Sequence, residues 1–195
     1  MHSIPSGRRF RDQTVFLIAE FAVLLALGGC SQRQTAEQSL NKALANAGQA
    51  KQTVCPLAGR VTIDGQEPHF DKPAYKLIVM LNDPQHPDAP IRERPFVVAD
   101  SHGAFAFETY LDSDGVYPGK FIVTFAVLRR KSRTGFVSPD QLHNLYNDPD
   151  QNSKNPDFVI AHQAPGRTNY TFNLEVAGKE PAAPQPHALT EISWR

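Results

Sequence analysis

The side chains able to do chemistry here are Cys30, Cys55 and seven histidines, and their spacing decides what chemistry is available. Past Cys30 the histidines are His69, His86, His102, His143, His162 and His187. No two stand four apart on a helical pattern and no His-Glu-x-x-His occurs, so a helix-borne zinc site is not encoded. A composite site assembled from distant loops stays open. Neither a Gly-x-Ser-x-Gly elbow nor a phosphate-cradling glycine loop is present. Asp148, Asp150 and Asn152 alternate as the first ligands of a calcium loop do. However, Ser153 replaces the glycine needed at its sixth position and Val159 the closing glutamate at its twelfth. A solvated turn after a helix is the favoured reading there, and a turn likewise for Asp112-Ser-Asp-Gly115. Asn169-Tyr-Thr171 is a formal glycosylation sequon that the start of a strand explains equally well. No catalytic residue, metal ligand or cofactor is assigned, and the chain is not expected to be an enzyme.

Cys30 is different, because what precedes it is organised. Arg8, Arg9 and Arg11 form a positive region, followed by an apolar run over residues 15–27 that only Glu20 interrupts. Leu27-Gly28-Gly29-Cys30 then resembles the lipobox of bacterial lipoproteins. That resemblance implies cleavage before Cys30, a diacylglycerol on its sulfur and acylation of its new amino terminus. The run falls short of the ~20 residues of a comfortable membrane span. Several acyl chains anchor stably, since each buried methylene contributes about 0.8 kcal/mol. Cys55 has no partner once Cys30 carries lipid, and Val54 and Pro56 offer no activating base. It reads as a small buried hydrophobe.

Charge narrows the partners. Lysine plus arginine and aspartate plus glutamate number 20 each, and removing residues 1–29 leaves 17 against 18. No strongly basic face is implied, which argues against nucleic acid. Sixteen prolines suit turns and edge strands better than a helical bundle.

Residues 30–52, rich in Ser, Gln, Ala and Asn, read as a lipidated N-terminus and polar tether. Within it Thr35-Ala-Glu-Gln38 forms a capping box, Leu40 and Leu44 lie one turn apart, and Gly48 closes a short helix. From residue 53 the pattern becomes strands: 57–63 running into the hairpin signal Asp64-Gly65, 75–81, 96–99 and 104–110 around the turn Asp100-Ser-His-Gly103, 120–128, 158–162 and 170–176. Seven short strands predict an all-β, antiparallel Greek-key sandwich over residues 53–177. Phe121, Val123, Phe125 and Val127 fill one face of the fifth strand, but Ile122, Ala126 and Leu128 make the other apolar as well. Something must cover it. Ser138-Pro-Asp-Gln141 has the form of a helix start, with Leu142, Leu145 and Tyr146 on one face. One short inserted helix is expected to pack there. Residues 178–195 form a Pro/Ala-rich tail with Ile192 and Trp194 at its end.

Gly59-Arg-Val-Thr-Ile-Asp-Gly65 with Pro68, Ala99-Asp-Ser-His-Gly-Ala-Phe-Ala-Phe107 and Tyr117-Pro-Gly-Lys-Phe-Ile-Val123 resemble the carboxypeptidase regulatory-like domain. The Leu-Tyr-Asn-Asp-Pro stretch over 145–149 is similar to one in small planctomycete lipoproteins that carry it. The resemblance spans roughly residues 57–176 and implies a transthyretin-like (prealbumin-like) sandwich acting as a non-catalytic module. Where the family has a small Gly-Ala pair before its second strand, this chain has Phe70-Asp-Lys-Pro-Ala74.

The expected function is therefore a membrane-anchored envelope lipoprotein whose sandwich binds an envelope protein or polysaccharide. Ser31 is not the aspartate of an inner-membrane retention signal, so the outer membrane is favoured. A carbohydrate-binding module is the alternative, using Tyr110, Tyr117 or Phe136 to stack on sugars. A metal-dependent hydrolase is a distant third, since it needs histidines and carboxylates converging in a cleft.

Overall fold

The structure, a computed structural model, describes residues 35–70, 73–132, 135–137, 139–182 and 191–193. The leader over residues 1–29, Cys30, the start of the tether, Ser138, His187 and Trp194 lie outside the described residues. The chain divides into two units between Ala43 and Leu44, the first described only from Thr35. Helix α1 (Ala36–Asn46) starts as its capping box dictates: Gln38 N donates to Thr35 Oγ1 at 3.2 Å and Thr35 N to Gln38 Oε1 at 3.0 Å. Gly48, at φ 65°, follows its end, and Gln49 N returns to Leu44 O.

The rest of the described chain is mostly β, in two sheets. The strands are β1 (Leu57–Ile63), β2 (Tyr75–Asn82), β3 (Phe96–Val98), β4 (Ala104–Ala106), β5 (Gly119–Ser132), β6 (Gly135–Val137), β7 (Val159–His162), β8 (Arg167–Leu174) and β9 (Glu191–Ser193). Each of the seven expected strands has a counterpart among the described residues, though only Ala104–Ala106 of the expected 104–110 is strand, and β6 and β9 are additional. One sheet has the order β4-β1-β8; the other runs β3-β2-β5-β6-β9, with β7 on the first part of β5. Not every pair is antiparallel, because β1 and β8 run parallel. Leu57, Val61, Phe105, Phe172 and Leu174 of the first sheet share one core with Leu77, Val79, Phe125 and Val127 of the second. The rings of Phe125 and Phe172 meet across it at 5.1 Å.

Both expected hairpins turn out to be corners. Asp64 and Gly65 take the positive φ values of a tight turn, 51° and 75°, and Ile63 bridges Gln66. β1 nevertheless pairs with β4 and β8, while β2 crosses to the other sheet. Asp100 Oδ1 likewise accepts from His102 N and Ala104 N, yet β3 joins β2 and β4 joins β1. Turn chemistry fixes a local reversal; burial chooses the partner. β2 buries six consecutive residues and belongs inside a sheet covered on both faces, whereas β1 buries only Leu57 and Val61.

The expected helix over residues 138–146 does not form. Described residues there make turns, and His143 and Asn144 have φ of 58° and 60°. The reason lies on β5. Its first residues pair with β7 and its last with β6, leaving the edge between them open. The insertion fills that gap: Gln141 N donates to Val127 O at 2.9 Å and Phe125 N to Tyr146 O at 2.8 Å. Asp140 Oδ1 accepts from Val127 N, and Asn152 Nδ2 donates to Val123 O, both at 2.8 Å. Backbone groups committed to β5 cannot close an i to i−4 ladder. The inserted helix is instead a single turn, α2 (Pro149–Asn152), with Asp148 as its cap and Pro149 at its first position.

Leu142 and Tyr146 consequently join the main core and do not cover the second face of β5. That face, Ala126 and Leu128 with Ile78 and Met80, is covered by Phe136, Phe96 and Ile91, the last from the proline-rich loop. Arg94, only 9 % exposed, staples this loop to β2: its guanidinium donates to Asn82 Oδ1, Ala89 O and Pro87 O. Near the end of the tail, Ile192 of β9 pairs with Phe136 of β6.

Asp140 gives this arrangement a pH signature. Burial holds its carboxyl above the ordinary value, with bonds from Leu142 N and Val127 N partly opposing. The folded state thus binds the proton more tightly than the unfolded state. Its contribution to stability is present at low pH and is lost as pH rises through the folded value. In denaturant unfolding, Asp140→Asn should gain on the wild type as pH rises from about 4 to 7. Asp140→Ala should lose about 2–4 kcal/mol by orphaning two buried N–H groups.

Candidate functional site

The residues singled out by chemistry are dispersed. His86 Nδ1 lies 2.8 Å from Asp83 Oδ2, holding that carboxyl below its usual range. His102 Nδ1 lies 2.9 Å from Glu67 Oε2, and Glu67 also meets Arg60 at 3.3 Å. His162 is buried on β7 with Nε2 3.0 Å from the carbonyl of Cys55. His69 and His143 are exposed in separate loops. Among the described residues, no three His, Cys, Asp or Glu side chains gather where they could hold a metal ion.

The oxygen-rich turns are equally accounted for. Asp148 Oδ1 accepts from Asp150 N, and Asn152 is buried with its amide on Val123 O and Tyr146 O. The alternating spacing of Asp148, Asp150 and Asn152 therefore serves a helix cap and an edge closure. The Asp114 carboxylate gathers Thr109 N, Tyr110 N and Leu111 N. Asn169 Oδ1 takes a bond from Arg167 Nε. Cys55 is 4 % exposed and forms a two-way backbone bridge with Val116. Of the three aromatics named for stacking on a sugar, Phe136 is buried in the second core. Tyr117 is 37 % exposed and bonded to half-buried Tyr110, which pushes its hydroxyl up to about 12.

What the fold does assemble is a groove beside β8. Among the described residues, four of the five strands at sheet edges have three or four residues, whereas β8 has eight. It alternates cleanly, with Tyr170, Phe172 and Leu174 inward and Asn169, Thr171 and Asn173 outward. A groove of about 770 Å³ runs between this strand and the segment over residues 155–161. The Arg167 guanidinium lies 4.5 Å above the Tyr170 ring. Lys179 Nζ sits 3.2 Å from Tyr146 Oη, which raises its pKa, and 3.7 Å from Glu175. Thr62 Oγ1 donates to Asn173 Oδ1 at 2.9 Å. The groove thus offers polar side chains of both charges next to one open backbone edge. Those are the elements that hold an extended chain by strand addition. Sequence reading found the β8 strand but not its place at an edge; the polar-outward alternation over residues 169–173 was the available signal.

No family model matches this chain. Neither a curated protein nor a solved structure is detectably similar to it. The site must therefore be read from its own geometry.

Arg60, which lines the groove, also belongs to a surface cluster with Glu67 and His102. Glu67 raises the His102 pKa, chiefly through its hydrogen bond. Stability from this pair is present below the ordinary histidine value of about 6.5 and is lost as pH rises through the folded value. An NMR titration of the ring protons should show the His102 midpoint moving down in Glu67→Gln.

Proposed function

We propose that this chain is a lipid-anchored, non-catalytic lipoprotein of a bacterial cell envelope whose β-sandwich serves as an interaction module. The observation that carries the reading is Leu27-Gly28-Gly29-Cys30 behind a basic region and an apolar run. Export and lipidation at Cys30 require a thiol at that one place, after small residues that fit the peptidase. Among the described residues no helix is long and apolar enough to cross a membrane, and residues 1–34 are not among them. Ser31 favours the outer membrane over the inner.

In the same reading the body is a carboxypeptidase regulatory-like, transthyretin-like Greek-key domain, to which β6 and β9 are additions. The module's working surface is the β8 edge with its groove, and its partner an extended segment of an envelope protein or a polysaccharide chain. Two features support this. The groove joins unpaired backbone to hydrogen-bonding side chains, and His86, His102 and His162 are each held in a separate contact of their own.

The test is to express the full chain and Cys30→Ser in a lipoprotein-competent bacterium and compare detergent partitioning and intact mass. The wild type should enter the detergent phase with an acylated Cys30 at its amino terminus, and the variant should not. If both behave alike and keep residues 1–29, the lipoprotein reading is wrong.

A further inference from the structure

Past Cys30, this chain of zero net charge carries its densest run of cations in Arg129-Arg-Lys-Ser-Arg133, whose first four residues form the exposed end of β5. Residues 115–139 contain no aspartate or glutamate and five lysines or arginines. The strand pattern explains why these charges stay in water. Val127 ends the inner apolar face of β5 and Leu128 the outer one, and the next four residues are all exposed. Arg129 continues the inner face and Arg130 the outer. The register with β6 then slips between Arg130 and Ser132, so Lys131 is an extra, unpaired residue that twists the ribbon. Among the described residues, neither Arg129 nor Lys131 has an ion-pair or hydrogen-bond partner through its side chain.

Cations on opposite faces of a twisted ribbon cannot all reach one rigid protein surface. They suit a surface that surrounds the tip with separate mobile anions. Single-stranded nucleic acid would want exposed aromatic rings beside the charges. Among the described residues, the exposed large apolar side chains are Val98 and Tyr117, and Tyr117 precedes the far end of β5. We propose that the β5–β6 tip is a second membrane contact, which docks on a bilayer rich in anionic lipid headgroups. This rests on the lipid-anchor reading for its role in the cell, because an anchored chain makes the second contact at high effective concentration. One acyl signal plus a basic patch is also a recognised route to firm attachment.

The experiment removes the anchor so that the tip is read alone. Full-chain Cys30→Ser is compared with the same chain bearing Arg129→Ala and Lys131→Ala, by co-sedimentation with vesicles of phosphatidylcholine, with or without phosphatidylglycerol. The readout is the ratio of partition coefficients on the two vesicle types, which cancels any common contribution from the N-terminal segment. The double alanine change should lower that ratio about 30-fold. A charge-keeping pair, Arg129→Lys with Lys131→Arg, should preserve it, and all variants should share one thermal transition. An unchanged ratio would overturn the proposal, as would tip-dependent binding of a DNA oligonucleotide tighter than that of the anionic vesicles. Either result leaves the anchor reading standing, since that depends on detergent partitioning of the wild type.

Discussion

The interaction on which most of this structure depends is the closure of the β5 edge between β7 and β6. β5 is 14 residues long, and neither partner on that side reaches its middle. Buried N–H and C=O groups there would each cost about as much as a lost hydrogen bond. The chain supplies substitutes from one insertion: two backbone N–H···O bonds, the Asp140 carboxylate and the Asn152 amide. Asp140 and Asn152 are buried polar side chains that a core would otherwise exclude. Their burial is tolerable because each has strand backbone to satisfy.

That closure also sets the layering. Holding residues 140–152 against β5 brings Leu142 and Tyr146 into the main core and docks Phe158 among Phe125, Tyr146 and Phe172. The insertion is then used up on the inner side, and the second apolar face needs a different cover. The proline-rich loop provides it, pinned by Arg94 through Asn82, whose own amide reaches Ile122 O and Thr124 Oγ1. Polar staples on both sides of the second sheet therefore determine which apolar side chains meet.

With the second sheet so covered, the surfaces left open include the outer face of the first sheet, the β8 edge and the end of β5. β8 keeps an unpaired side because the closing insertion belongs to β5, and the groove beside it follows from that asymmetry. The β5–β6 tip projects its cations because both apolar faces of the strand stop at Leu128. Little of this was legible in advance. A balanced total charge concealed a local run of cations, and a strand's sequence does not say whether it lies at an edge. The histidines and the Asp148–Asn152 spacing were legible as residues, but the roles of His102, His162 and Asn152 depend on partners remote in the chain.

By itself the sequence determined the local elements: the capping box of α1, seven strands, the Asp64-Gly65 and Asp100–Gly103 turns, and the two apolar faces of β5. These follow from hydrogen bonds and periodicities within a few residues, which any fold containing the segment must satisfy. Tertiary structure alone decided that both turns are corners between sheets, and that β1 lies parallel to β8. It also decided that residues 139–147 forgo a helix to complete β5. Those outcomes depend on where each backbone donor and apolar face finds its partner across the sandwich, and that is a property of the assembled chain.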